Sequence, residues 1–387
     1  MASEYAGRQA QRRWRLVLPL LLWTVCSPGW AVAPEDVVDQ PADFPEFNDQ
    51  PLAAPLTHPD WFKLSFLDLT DDLREAAAAG KRGLIIYFGQ KYCAYCKALL
   101  ETNFGKADIR AYTQKHFDVI GIDIHGSNNV VDFDGAEGNE RWFALRHDVN
   151  FTPTLLFYDT AGKLALRLSG YYPPYQFRAA LEYVADGHYR NETFRSYLER
   201  ADVPLVFDAG ELNYETYFLP PPYALARTHR PGERPLIVFF EQPDCHACDV
   251  LHTGPLTEPE IVERLRRFEI VQLNLWGKQP VITPEGKRTT EREWATDLGL
   301  FYAPTLIFFD NDGREILRVD SVVQFYRLRN VLDYVASGAY KEYPTFQRWR
   351  EAQGRPLRCD ESDPITPDRE MTRLYVGAGR KAKVRPG

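Results

Sequence analysis

Apolar positions in this chain fall into short unbroken runs separated by stretches with a helical period, and the same succession of runs occurs twice. Leu84 to Phe88 and Val119 to Ile124 have the length and continuity of strands buried on both faces. Thr154–Tyr158 and Leu164–Leu168 flank Asp159-Thr-Ala-Gly-Lys163, a hairpin signature. Ala76 to Ala79 ends a helix at Gly80, and a second helix begins at Cys93 and runs, with a break near Gly105, to about His116. Arg141–His147 reads as a helix, Phe177–Ala185 closes the unit as another, and the polar stretch Gly126–Glu140 between them reads as a loop. The predicted order is βαβα-ββα: an α/β unit whose central mixed sheet has a parallel half and an antiparallel half, flanked by helices.

The second copy keeps the order, with Ile237–Phe240, a helix from Cys245, Ile270–Leu275, a helix around Trp294, Thr305–Phe309, Ile316–Val319 and a helix over Phe325–Val335. Trp294 stands 152 residues after Trp142, and Gly338 and Tyr340 stand 151 after Gly187 and Tyr189. Units of that size are independent cores rather than solenoid turns. Two tandem domains are therefore expected, at 60–200 and 215–353, joined by a linker over 201–214. Residues 34–59 lack periodicity and read as a flexible lead-in, and 354–387 as a disordered tail.

The ends carry an address rather than a core. Arg8, Arg12, Arg13 and Arg15 precede an apolar stretch from Leu16 to Val25, and Ala31-Val32-Ala33 has the small residues of a cleavage site. Residues 1–33 are expected to be a signal peptide that is removed, with an uncleaved membrane anchor as the other outcome, and the mature chain is placed in a periplasm or similar exported compartment. A net charge of −8 with no basic run inside the domains argues against nucleic-acid partners.

Chemistry enters at two Cys-x-x-Cys segments, Cys93-Ala-Tyr-Cys96 and Cys245-His-Ala-Cys248, each at the end of a predicted strand and the start of a helix. The helix dipole and unpaired N–H groups of a first turn favour thiolate, which marks Cys93 and Cys245 as nucleophiles and Cys96 and Cys248, three residues on, as resolving thiols. Each pair is followed by an X-Pro step before a strand, Thr152-Pro153 and Ala303-Pro304. A cis proline there presents an extended backbone edge to a substrate chain.

With these residues in view the chain resembles two thioredoxin-superfamily domains. The phrases around Cys93–Cys96, Phe151-Thr-Pro-Thr-Leu-Leu-Phe157 and Gly170-Tyr-Tyr-Pro-Pro174 are similar to exported SoxW-type thioredoxin-related proteins. The resemblance implies a thiol–disulfide oxidoreductase, more reductase-like than oxidising, that works through mixed disulfides on protein or small-molecule thiols and disulfides and is supplied by an upstream thiol redox partner, soluble or membrane-bound. No cofactor is implied. Tyr87 and Phe239 stand six residues before the first cysteines, where cytosolic thioredoxins carry a buried Asp, so the usual internal proton acceptor is missing.

The two sites differ. His246, directly after Cys245, stabilises a thiolate when protonated, while Glu241, where the first copy has Gly89, opposes it or accepts a proton; a plain solvated role stays open for both. Tyr95, with Tyr92, Tyr171 and Tyr172, suits either an apolar substrate rim or ordinary packing. Cys245, Cys248 and His252 share a helix face, so the alternative to redox turnover is a soft-metal (copper) handling protein, or a thioredoxin-fold binding or chaperone module. The dithiol frame accounts for the cysteines without a metal ligand set.

Overall fold

The computed structural model describes residues 47–201 and 211–354. Residues 1–33, expected as a signal peptide, residues 34–46 of the lead-in, 202–210 of the linker, the tail beyond Gly354, and Cys26 and Cys359 lie outside them.

The first domain opens with α1 (Leu69–Ala78), which starts where the Asp68 side chain accepts the N–H groups of Thr70 and Asp71 and stops before Gly80, a residue with φ of 76°. There follow β1 (Gly83–Gly89), α2 (Ala94–Ala98) continued by a π turn at Leu99–Asn103, α3 (Ala107–His116) and β2 (Phe117–Asp123). Next come β3 (Asn129–Val131), β4 (Glu137–Asn139), α4 (Glu140–Arg146), β5 (Thr154–Asp159), β6 (Leu164–Ser169), α5 (Pro174–Ala185) and α6 (Phe194–Ala201). The sheet order is β2-β1-β5-β6, with β1 parallel to β2 and antiparallel to β5. Both central strands are buried along their whole length, as their continuous apolar runs require.

The second domain contains β7 (Tyr223–Ala224), β8 (Leu236–Glu241), α7 (His246–Thr253), α8 (Pro259–Leu265), β9 (Glu269–Asn274), β10 (Pro280–Ile282), β11 (Arg288–Thr290) and α9 (Glu291–Asp297). It ends with β12 (Thr305–Phe309), β13 (Glu315–Val319), α10 (Phe325–Ala336) and α11 (Phe346–Gly354). Its main sheet, β9-β8-β12-β13, repeats the first. Local devices repeat too. Glu140 accepts the backbone N–H of Asp123 and of Asn128, and Glu291 accepts those of Asn274 and Gln279, fixing the same loop in both copies.

Two expectations change. The stretch expected as loop between Gly126 and Glu140 contains the β3–β4 hairpin, whose three-residue strands are too short to show alternation. Residues 47–59 are not merely a flexible lead-in: Asp49 is buried, and the N–H groups of Leu52 and Leu56 donate to Tyr92 and Lys91 carbonyls.

The domains meet through matching surfaces related by a pseudo-two-fold. Val322 N–H donates to the carbonyl of Tyr171, its own counterpart 151 residues earlier. Phe194 of α6 packs on Phe301 at 5.0 Å between ring centres, and Phe346 of α11 packs on Phe151 at 5.4 Å. Arg195 Nη1 donates to the Leu300 carbonyl at 2.6 Å, and Gln347 Nε2 to that of Asn150 at 3.0 Å. Each domain's last helix thus lies on the segment leading into the other's X-Pro step. One apolar cluster runs through the seam, joining Cys96, Tyr95, Tyr171 and Tyr172 to Val250, Tyr302 and Val322.

Candidate active sites: two dithiols at a domain seam

Both cysteine pairs are closed as disulfides, with Cα atoms 5.1 Å apart at Cys93–Cys96 and 5.2 Å at Cys245–Cys248. Cys93 and Cys245 are the N-cap residues of α2 and α7. Their Sγ atoms accept the backbone N–H of Cys96 at 2.9 Å and of Cys248 at 3.1 Å. An N–H already aimed at sulfur, at the positive end of a helix, stabilises thiolate there. Cys96 and Cys248 are fully buried, whereas Cys93 and Cys245 keep 6% and 7% of their surface, enough to be approached from one side. The Thr152-Pro153 and Ala303-Pro304 bonds are cis. The carbonyl before each proline faces the first sulfur, Thr152 O at 3.5 Å from Cys93 and Ala303 O at 3.7 Å from Cys245, and Thr152 Oγ1 adds a contact at 3.4 Å.

What lies on the sheet behind each dithiol differs. In the second domain Glu241 is wholly buried at the end of β8, 3.0 Å from His252 Nε2, while His252 Nδ1 meets Glu215 at 3.0 Å and Gln272 Nε2 donates to Glu241 at 2.8 Å. Burial lowers the affinity of His252 for a proton, but the two flanking carboxylates outweigh it and leave its pKa raised. Both ring nitrogens are therefore committed to carboxylates, which removes His252 from the soft-metal set considered with Cys245 and Cys248. Among the described residues no cluster of three or more His, Cys, Asp or Glu is arranged to hold a metal ion. In the first domain Gly89 replaces Glu241, and the Tyr87 ring lies over it: a β-carbon there would fall 2.5 Å from the Tyr87 hydroxyl. His58 and Phe62 stack beside Tyr87, making this floor aromatic.

The tyrosines are not a rim. Tyr171 and Tyr172 are buried in the seam, with Tyr172 against Phe301 and Tyr302. Tyr95 is buried as well: its hydroxyl donates to Asp49 at 2.8 Å and accepts the Gln324 N–H at 2.9 Å, and the Arg327 guanidinium sits 3.3 Å above its ring. Only Tyr92 is exposed beside the site. His246 is exposed next to Cys245.

Cys93 opens into a cleft of about 200 Å³ whose far wall belongs to the second domain. Tyr326, Arg327 and Asn330 of α10 and Phe346, Arg350 and Glu351 of α11 face Asp49, Gln90, Tyr92, His125 and Thr152. Arg327 Nη2 donates to the Thr152 carbonyl at 2.9 Å. A hydrogen-bonded chain joins the domains: Glu351 to His125 Nδ1 at 2.8 Å, His125 Nε2 to Gln90 at 3.1 Å, and Gln90 Nε2 to Thr152 Oγ1 at 2.9 Å. Arg141 also bonds Glu351, and Arg348 donates to it at 3.1 Å. No local pattern in the sequence marks Asp49, Gln90, His125, Arg327, Arg350 or Glu351. Their partners lie up to 278 residues away, too far for any local spacing to signal them.

A model of the thioredoxin-like domain matches this chain twice, over residues 69–185 and 222–336, together more than half its length. The chain belongs to the thioredoxin-like domain family and carries the domain in tandem. Among solved structures it is similar to a thioredoxin-fold protein from Helicobacter pylori, with 26% identity over 30% of this chain and 82% of that one and a TM-score of 0.27. A thioredoxin from Thermus thermophilus shows 23% identity over 30% and 83%, TM-score 0.24. The oxidised C-terminal domain of Neisseria meningitidis DsbD shows 19% identity over 27% and 81%, TM-score 0.21. No curated protein matches the chain. Two such domains, each with its Cys-x-x-Cys pair, are consistent with thiol–disulfide exchange.

Proposed function

We propose that the protein is an exported thiol–disulfide oxidoreductase with two working dithiols, running in the reductase direction. The observation that carries this is the doubled geometry of a helix-capping cysteine whose sulfur accepts the N–H of its buried partner and faces the carbonyl before a cis proline. In the reduced form the Cys93 or Cys245 thiolate attacks a substrate disulfide. One S–S bond breaks, a mixed disulfide forms, and the first substrate thiolate leaves. Cys96 or Cys248 then attacks the mixed disulfide, releasing the second substrate thiol and closing the pair; two electrons pass to the substrate, and an upstream thiol donor restores the dithiol. The Arg-rich, apolar N-terminal segment supports export, and the residues around Cys93, Pro153 and Gly170 support kinship with SoxW-type proteins.

Insulin-disulfide reduction by the whole chain, with Cys→Ser variants, tests the proposal. Cys96→Ser and Cys248→Ser are each expected to trap substrate as a thiol-reducible adduct. Adducts that form without Cys93 and Cys245 but require Cys96 and Cys248 reverse the assignment, and an inert wild-type dithiol at both sites defeats it.

A further inference from the structure

Building on that thiol–disulfide reading, we propose that the Cys93 dithiol is selective for low-molecular-weight disulfides bearing carboxylates, with the second domain supplying the selectivity through Arg327 and Arg350. Size comes first. The cleft over Cys93 holds about 200 Å³, below the ~300–1,000 Å³ of sites that enclose drug-sized ligands. It admits one arm of a small disulfide. The backbone edge that a polypeptide would use is also taken, because the Thr152 carbonyl already accepts Arg327 Nη2.

Charge comes second. Arg350 donates to Asn330 and to the Tyr326 hydroxyl, and Arg327 to a carbonyl; among the described residues neither forms an ion pair, and buried Arg327 Nη1 has no hydrogen-bond partner. The acids of the cleft are spoken for. Glu351 is held by Arg141, His125 and Arg348, and Asp49 accepts the Tyr95 hydroxyl and the backbone N–H groups of Tyr326 and Arg327. Asp49 has only neutral donors and its charge offsets Arg327 in part, so the cation of the cleft without a facing carboxylate is Arg350, and a carboxylate is the ligand group that complements its guanidinium.

The pseudo-two-fold supplies the control. Arg327 corresponds to Gln176, 151 residues earlier, as Val322 does to Tyr171. In the last helices Phe346 corresponds to Phe194 and Trp349 to Tyr197, both 152 residues apart, which sets Arg350 against Leu198. Gln176 is neutral and Leu198 packs into the seam cluster. The equivalent positions toward the Cys245 dithiol lack both of these cations, and the arginine that does reach that segment, Arg195, is paired with Glu199.

In the exchange, Cys93 thiolate attacks RS–SR, the Cys93–SR bond forms and RS⁻ leaves. Cys96 then attacks Cys93 Sγ, the second RS⁻ leaves, the Cys96 proton passes to one released thiolate while solvent protonates the other, and an added dithiol reductant resets the site.

The test uses the full chain with one dithiol retained, Cys245→Ser/Cys248→Ser for the first site and Cys93→Ser/Cys96→Ser for the second. Each is assayed with 3,3′-dithiodipropionate, with cystamine and with insulin. The first site is expected to prefer the dicarboxylate over the diamine by ~10-fold or more in kcat/KM, the scale of a hydrogen bond to a charged group, and to reduce insulin poorly. The second site is expected to show little preference between the two small substrates. Arg350→Gln should bring the first-site ratio toward one while Arg350→Lys keeps much of it, the lysine variant showing that a folded site is being read. A first-site ratio near one, a ratio unmoved by Arg350→Gln, or insulin reduction as fast as at the second site overturns the proposal. Exchange at neither site with any substrate overturns the oxidoreductase reading beneath it.

Discussion

The two domains share a sheet order, a capping cysteine and a cis proline, and they differ in what surrounds the sulfur. Behind Cys245–Cys248 stand buried Glu241 and His252 with partly exposed Glu215; behind Cys93–Cys96 stand Tyr87, Gly89 and His58. In front, the first site is faced by Arg327 and Arg350 of the other domain, neither with a carboxylate partner, whereas the arginine that crosses toward the second, Arg195, is paired with Glu199. The frame is thus set by apolar runs and caps, which tolerate exchange of like residues, whereas the character of each site rests on single positions. A glycine at 89 lets a tyrosine ring fold across the strand end. A glutamate at 241 requires a cation beside it, because a lone buried carboxylate is strongly unfavourable.

The largest expected difference follows from that requirement. His252→Leu strands Glu241 and should destabilise the second domain by ~3–5 kcal/mol, read as an early denaturant transition by Trp fluorescence, with exchange at the first dithiol retained. Restoration of most of that stability by adding Glu241→Leu would assign the loss to the unpaired charge, and no restoration would assign it to packing. Next is Arg327→Ala, which frees the Thr152 carbonyl. Insulin reduction by the first site is expected to rise several-fold, corresponding to ~1 kcal/mol, and the asymmetry between the sites to narrow; an unchanged rate shows that Arg327 does not guard the edge. The smallest effect is pH-dependent. Burial alone raises the Glu351 carboxyl, but the His125 hydrogen bond and the charges of Arg141, His125 and Arg348 bring it down to about 2. A lowered carboxyl stabilises the folded state above its unfolded value of ~4.3 and loses that contribution as pH falls toward 2. The stability advantage of wild type over Glu351→Gln should be full at pH 6 and fade across that window; an advantage that is flat with pH removes the ion cluster from the account.

Strands β1, β5, β8 and β12 were legible because continuous apolar runs bounded by turns leave little else for the chain to form, and the X-Pro-Thr steps mark where β5 and β12 begin. The Cys-x-x-Cys pairs were legible because their chemistry is local. Helices α6, α8 and α11 were not recognised, since each is short and buries its apolar face against elements distant in sequence. The wall of the first site was invisible for a related reason. Nothing near Arg327 says that its guanidinium will reach the residue before Pro153, and Tyr172, read as either rim or core, becomes core only because Phe301 and Tyr302 cover it.

The matching contacts across the seam bear on how such an asymmetry can exist at all. A symmetric homodimer of one such domain would display every wall residue at both dithiols, so a guanidinium placed to serve one site would stand at the other as well. Joining two copies in one polypeptide removes that constraint. Position 327 can be Arg while 176 is Gln, and 350 can be Arg while 198 is Leu, without disturbing the Tyr171–Val322 contact about which the halves are related. Covalent linkage here gives a gene freedom to tune two dithiol surroundings separately while keeping one shared interface.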